Sequence, residues 1–288
     1  IGLGVMGWAE TLAMLNIPYN SDEAIKKAEE IMKLIDDEAR NASIELAKTR
    51  GIFPAFKNSV FDREGKNYRQ GHEFMPRNCA RTTIAPTGTI GITAGLQGAG
   101  IEPFFAIVYI RYNAQGIDAL RRGEKPAENN TFYEVNPLFE KIAHERNYFG
   151  FSKDELYKKI DANHKSLIGL QEVPEEIQRR FLTSHDLTPM DHVMMQVAFQ
   201  KYTNNAVSKT VNLRNEATED DVREVYMLAY ELGAKGVTVY RDGSKSVQIL
   251  NLNEKKEAEA EKPKVREKKP VELSSYYEIM TGQGPLHV

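Results

Sequence analysis

Apolar positions recur every three to four residues from Ser21 to Arg50: Ile25, Ala28, Met32, Ile35, Ala39, Ala42 and Leu46, with charge on the opposite side. That spacing predicts one long amphipathic helix. Ser21 or Asp22 caps it, Asp22 and Glu23 suit the positive end of its dipole, and Gly51 follows its last turn. A shorter helix, Met6 to Leu15, stops before Pro18. From Gly51 to Arg77 the pattern is mostly loop. Arg81 to Ala85 reads as a strand, and Phe104 to Tyr112 as a buried one. Helical patterns follow at Asn136–Arg146, Ser152–Ala162, Pro174–Phe181 and Pro189–Thr203. Ser208–Leu213 is a strand, Thr218–Leu232 a helix opened by Thr218 and Asp221, and Gly236–Arg241 a further strand. This strand–helix–strand order favours an α/β fold with parallel neighbours.

The pattern breaks at residues 253–272, where charges of both signs alternate and Pro263 and Pro270 interrupt any helix. Such a stretch has too little apolar surface to bury and reads as a solvated linker. The organisation predicted is residues 1–250 as one α/β unit, 251–273 as a charged linker, and 274–288 as the start of another structured unit. The chain opens on Ile1 inside a patterned segment and stops as a strand begins, so both ends read as cut.

Composition narrows the function. The 38 Lys and Arg nearly balance 41 Asp and Glu, for a formal charge of -3. A protein that grips nucleic-acid phosphates needs a basic face, which this balance does not supply. A small phosphate pocket remains open to it, because backbone N–H groups suffice. The single cysteine, Cys79, excludes a disulfide framework within the chain and fits a reducing, cytoplasmic setting. The longest apolar run, Phe104 to Ile110, falls short of the ~20 residues of a membrane helix.

Four places could carry chemistry. Ala85-Pro86-Thr87-Gly88-Thr89-Ile90 brings a strand to a tight turn, with Gly88 allowing close approach and two threonines supplying hydroxyls. If a helix starts there, its free N–H groups converge on an anion site; the plain alternative is an ordinary strand-to-helix turn. Cys79 has no activating neighbour and is expected to be a buried, inert thiol. His185 and His192 are separated by Pro189, which argues against one continuous helix and for capping or core roles rather than a metal site. Glu102, in Gly100-Ile101-Glu102-Pro103, is expected either to bind a hydroxyl or to pair with Arg111.

Five motifs in order carry a resemblance: Ile1 to Gly7, Arg81 to Ile90, Gly100 to Pro103, Ser208 to Asn212 and Lys235 to Arg241. Over about residues 1–250 the chain resembles the C-terminal half of the catalytic subunit of a ribonucleotide reductase, and within that family the class II, adenosylcobalamin-dependent type. The resemblance implies part of a ten-stranded α/β barrel, of which this chain supplies most of the second five-stranded half. It implies that Thr87, Gly88, Thr89 and Ile90 contact the substrate's phosphates through backbone N–H groups. The family's radical cysteine, its asparagine and glutamate neighbours and the reducible cysteine pair would lie upstream of Ile1. The chain alone is therefore expected to be inactive and poorly soluble or oligomeric. Its implied partners are a ribonucleotide substrate, the N-terminal half of the reductase, an external dithiol and, when intact, a second copy in a homodimer; nucleic acid and membrane are not among them.

In class I enzymes the strand matching Gly236–Arg241 carries two stacked tyrosines. Here Thr238 and Val239 stand at those positions, with Tyr240 offset to the face opposite Val239. That departure favours a radical made beside the active site. Residues 274–288 resemble the start of a small C-terminal domain of long class II chains. Competing readings are a non-catalytic nucleotide-phosphate-binding or scaffold half, a class I large-subunit fragment, and a sugar-phosphate barrel with Asp242 as its best catalytic carboxylate.

Overall fold

The computed structural model describes residues 1–244, 278–281 and 284–287. The chain divides into two units, Ile1–Leu252 and Asn253–Val288. In the second, β5 (Glu278–Thr281) and β6 (Gly284–His287) form an antiparallel pair. The linker expected at 251–273 lies outside the described residues.

The first unit begins with α1 (Trp8–Leu15) and α2 (Asp22–Arg50). Ser21 Oγ accepts the Ala24 N–H, the cap expected of it. Ala24, Ala28 and Met32 are buried as the helical stripe requires, but Leu46 is exposed and Ser43 is buried in its place. Ser43 Oγ accepts the Asn78 N–H at 3.0 Å. The last turns of α2 thus meet the polar backbone of the 51–78 segment, not the apolar core. Arg81, also buried, returns to α2 through Asp36 at 3.1 Å.

Arg81–Ala85 is extended but forms single bridges, not a full strand. Thr82 pairs in parallel with Leu3, and Ile84 in parallel with Val207. The contacts are Leu3 N–H to Arg81 O at 2.8 Å, Thr83 N–H to Leu3 O at 2.9 Å and Ser208 N–H to Ile84 O at 2.9 Å. The approach is close at the first pair. A Cβ on Gly4 would lie 1.9 Å from Thr83 O, so only glycine fits there. Beyond Val207 the chain continues into β3 (Thr210–Leu213), which pairs in parallel with β4 (Thr238–Arg241). The intervening helix α9 (Glu219–Glu231) completes the expected strand–helix–strand unit, with Thr218 and Asp221 forming its capping box. Parallel pairing therefore runs from Leu3 through Thr82–Ile84 and Val207–Leu213 to β4. Among the described residues it does not close into a barrel.

The expected strand Phe104–Tyr112 divides in two. Phe104 bridges Thr183 in parallel, while β1 (Val108–Tyr112) pairs antiparallel with β2 (Thr131–Val135). Neither β2 nor the helix between, α4 (Ala114–Arg121), was anticipated. The Asn113 side chain starts α4 by accepting the Gly116 N–H. The hairpin leads to α5 (Pro137–Glu145), α6 (Lys153–Ala162), α7 (Glu175–Arg180) and α8 (Pro189–Gln200).

Three apolar clusters hold these pieces. Trp8, Leu12, Met32, Ile84, Met195, Phe199 and Val207 join α1, α2 and α8 to the bridged segments. Phe104, Phe139, Tyr157 and Phe181 join α5, α6 and α7 to the chain before β1. Val193, Val211, Leu213, Val225 and Ala229 pack β3 between α8 and α9. In Val207–Leu213 the odd-numbered residues are buried and the even-numbered ones are not. One face of this parallel pair is therefore core, and the other presents Ser208, Thr210 and Asn212. Val239 packs against the cluster of Val211, and Tyr240, alternating with it, stands in register with Asn212.

Candidate functional site

A helix does start at the Thr/Gly turn: α3 spans Gly88–Thr93. Its first intrahelical bond is Gly91 N–H to Thr87 O at 2.7 Å, so the amides of Gly88, Thr89 and Ile90 precede the ladder. Thr87 occupies the N-cap position in the left-handed region, φ 53°, and makes no side-chain cap. A threonine there usually accepts an amide of its own helix. Here its hydroxyl accepts the Gly100 N–H at 2.7 Å. The first-turn amides stay uncapped, and Gly88, Thr89 and Ile90 are exposed. No atom lies within 4 Å of where a Cβ on Gly88 would project. The arrangement can donate several N–H groups to an anion without any side-chain charge.

The following loop is tied down from several directions. Glu10 Oε1 accepts the Gln97 and Gly98 N–H groups, both at 2.8 Å, and Gly100 O accepts the Trp8 N–H at 3.2 Å. Gly100 has φ 55°, and a Cβ on it would lie 2.9 Å from Ala85 O. A glycine is required for both reasons. Tyr19 Oη donates to Ile101 O at 2.5 Å, and burial raises that phenol well above its usual pKa.

Glu102 does not pair with Arg111. Arg111 is turned to Glu134 at 3.3 Å, while Glu102 accepts from Lys209 Nζ at 2.6 Å and from the Thr210 N–H at 2.6 Å. Lys209 was missed in the sequence, and it is fully buried. Its ammonium also donates to Thr210 O and to His192 Nδ1, each at 2.7 Å, so all three of its N–H bonds are used. Because Nδ1 of His192 accepts, its proton sits on Nε2 and is donated to Ser184 O at 3.0 Å. Burial, then the Lys209 charge, push the His192 pKa down to about 3, which keeps the ring neutral. Burial also pulls Lys209 below the usual lysine range, and Glu102 opposes that shift. The signal for Lys209 was its register: it alternates with Val207, Val211 and Leu213 and must face the core with them.

The other candidates separate. His185 lies before α8 with its ring edge-on to Phe105 at 5.7 Å, apart from the role of His192. Cys79 is exposed, contrary to the buried thiol expected. It follows a loop with its own aromatic cluster, in which Phe61 packs edge-on to Phe53, His72 and Phe74, and its thiol stands at the surface of that loop rather than in the main core. Together with Phe53, Phe61, Lys66, Tyr68 and Arg69 it lines a cavity of about 580 Å³. Among the described residues no group of three or more His, Cys, Asp or Glu forms that could hold a metal ion.

Parallel bridged segments backed by helices, with a glycine turn opening a short helix, define an α/β protein whose parallel pairing stays open among the described residues. The chain belongs to the family described as ribonucleotide reductase, barrel domain, which matches residues 1–240. It is 42% identical over 273 residues to a vitamin B12-dependent ribonucleoside-diphosphate reductase of Thermoplasma acidophilum, covering 95% of this chain and 31% of that protein. It is 43% identical over 251 residues to a protein of the same description from Mycobacterium tuberculosis, covering 87% of this chain and 32% of that one. The chain thus spans about a third of the length of these curated relatives. Among solved structures it resembles the Actinobacillus ureae class Id ribonucleotide reductase alpha subunit, with a TM-score of 0.64 and 24% identity over 84% of this chain and 39% of that one. That likeness shows the fold.

Proposed function

We propose that this chain is the barrel segment of a vitamin B12-dependent ribonucleotide reductase, and that the Thr87–Ile90 turn holds the substrate's phosphates. The observation that carries the proposal is the uncapped first turn of α3: three exposed amides whose natural capping hydroxyl is committed to Gly100. A phosphate oxygen placed over Gly88 would accept from these amides and supply the missing cap. The loop 97–103 fixes Thr87 before the ligand arrives, so little of the binding free energy is spent on ordering the turn.

The proposal assigns this chain substrate holding. Adenosylcobalamin would supply the radical in the intact enzyme. The turn offers amides, and the Phe53–Cys79 cavity sets Phe53, Phe61 and Tyr68 among Asn58, Lys66, Asn67 and Arg69, so neither of these two places is by itself an apolar floor for a corrin. The N-terminal portion of the reductase, an external dithiol and a second copy in a homodimer complete the proposed assembly, in the cytoplasm. No described helix is long and apolar enough to cross a membrane. Thr238 and Val239 at the positions of the class I tyrosines favour the cobalamin-dependent reading over a class I one.

The test is Gly88→Val in the enzyme assembled from this chain and the N-terminal portion that its relatives carry. The branched side chain would fill the space above the amides. The KM for a ribonucleoside diphosphate should rise at least about tenfold, as expected when a charge-assisted contact of ~1.5–3 kcal/mol is lost. An unchanged KM sinks the assignment.

A further inference from the structure

The buried Lys209 does more than fill the space between two cores. It stands on the core face of Val207–Leu213, between the cluster of Val207 and that of Val211. An ammonium in such a layer persists only when its charge and its N–H bonds are all met. Here they are met by three separate pieces of chain: Glu102 at the end of the glycine loop, His192 on α8 and the Thr210 carbonyl of β3 itself. Glu102 is held twice, since its other oxygen accepts the Thr210 N–H. Through His192 the network reaches Ser184, whose own N–H is donated to Phe104 O at 2.7 Å, two residues past Glu102.

The loop so anchored is the one whose Gly100 N–H engages the Thr87 hydroxyl. We propose that Lys209 is a positioning residue for substrate: paired with Glu102 and braced on His192, it fixes the 97–103 loop against β3, and the loop in turn holds Thr87 in the left-handed conformation that leaves the α3 amides open. This rests on the phosphate-holding reading of the turn. It adds that the distance between the turn and the polar face of β3 is set by one buried ion pair. Ser208 and Thr210, the chain neighbours of Lys209, stand on that polar face, so the same residue sets where a ligand held at the turn meets them.

The test uses the assembled enzyme with a ribonucleoside diphosphate. Lys209→Met keeps the length and apolar stem but leaves Glu102 unpaired, and Glu102→Gln keeps an acceptor for Thr210 while removing the charge. A loosened turn weakens phosphate contacts alike in the ground and transition states, which raises KM and spares kcat. KM should rise about tenfold in Lys209→Met and about threefold in Glu102→Gln. Both should hold kcat within twofold, and binding of the unphosphorylated ribonucleoside should not change. A merely structural lysine would behave otherwise: the melting temperature and the active fraction would fall, with KM unmoved. That pattern, or an unchanged KM in both variants, overturns the proposal. If Lys209→Met does not fold, Glu102→Gln decides alone. Gly88→Val separates the two readings: a raised KM there with normal KM in Glu102→Gln and Lys209→Met removes the positioning role and keeps the turn, whereas a normal KM in Gly88→Val removes the turn itself.

Discussion

Gly4→Ala tests the parallel pairing on which the fold rests. The added Cβ would stand 1.9 Å from the Thr83 carbonyl oxygen, a backbone atom that cannot turn aside. Reaching an ordinary contact of 3.4 Å requires an opening of about 1.5 Å. Both bonds between these segments, Leu3 N–H to Arg81 O at 2.8 Å and Thr83 N–H to Leu3 O at 2.9 Å, would then exceed hydrogen-bonding distance. At ~1 kcal/mol for each bond, with a further ~1 kcal/mol for displaced packing beside Ile84, the loss is about 3 kcal/mol. Gly236→Ala is the control, because a Cβ there meets nothing within 4 Å. Surface substitutions of that kind stay within about 0.5 kcal/mol. The chain's one tryptophan, Trp8, is buried four residues beyond Gly4 and reports the transition by fluorescence in urea. With a slope of about 2 kcal/mol/M, the Gly4→Ala midpoint should fall by ~1.5 M. A midpoint within ~0.3 M of the Gly236→Ala control refutes the pairing of Leu3 with Thr82.

Two further outcomes follow from the site. The folded pKa of His192, about 3, lies below its ordinary 6.5, so the unfolded chain takes up the proton first. The contribution is present above pH 6.5 and is lost as pH falls toward 3; it is on the order of a few kcal/mol, and urea midpoints measured across that window should flatten in His192→Gln relative to wild type. An equal slope in the two proteins would contradict the buried neutral ring. Cys79, being exposed, should react with a thiol-specific disulfide reagent in the native protein within minutes and without denaturant; labelling only after unfolding would restore the buried thiol.

What the sequence made legible was local. The stripe of α2, its Ser21 cap and the Thr218–Asp221 box are written in residues a turn apart, and they fold as read. The helix start at Gly88 was one of two readings the turn allowed, and it is the one that forms. The misreadings needed partners far along the chain. Arg81–Ala85 has strand composition, but its neighbours are Leu3 and Val207, and with single bridges on each side it never becomes a full ladder. Phe104–Tyr112 is one apolar run, yet burial fades after Val108, and its two halves pair with different segments in opposite senses. Glu102 could not be assigned from its vicinity, since its partner lies 107 residues on. Leu46 fits the helical stripe but is left exposed, because nothing in the period says how far along α2 the core extends.

The long reach of that pair also bears on the order in which the chain is made. During synthesis Glu102 emerges well before Lys209, and domains begin to fold from the N-terminal side as they appear. Until β3 has left the ribosome, the carboxylate has only water for company and the glycine loop has no brace. Non-local contacts of this length also repay their loop-closure entropy late, which slows folding. A nascent chain halted within α8 would carry the whole Thr/Gly motif and the loop behind it, yet lack the residue that holds them in place. On the proposed reading, the phosphate-holding turn would be among the last features to mature, and a paused or truncated product would carry the motif without its brace.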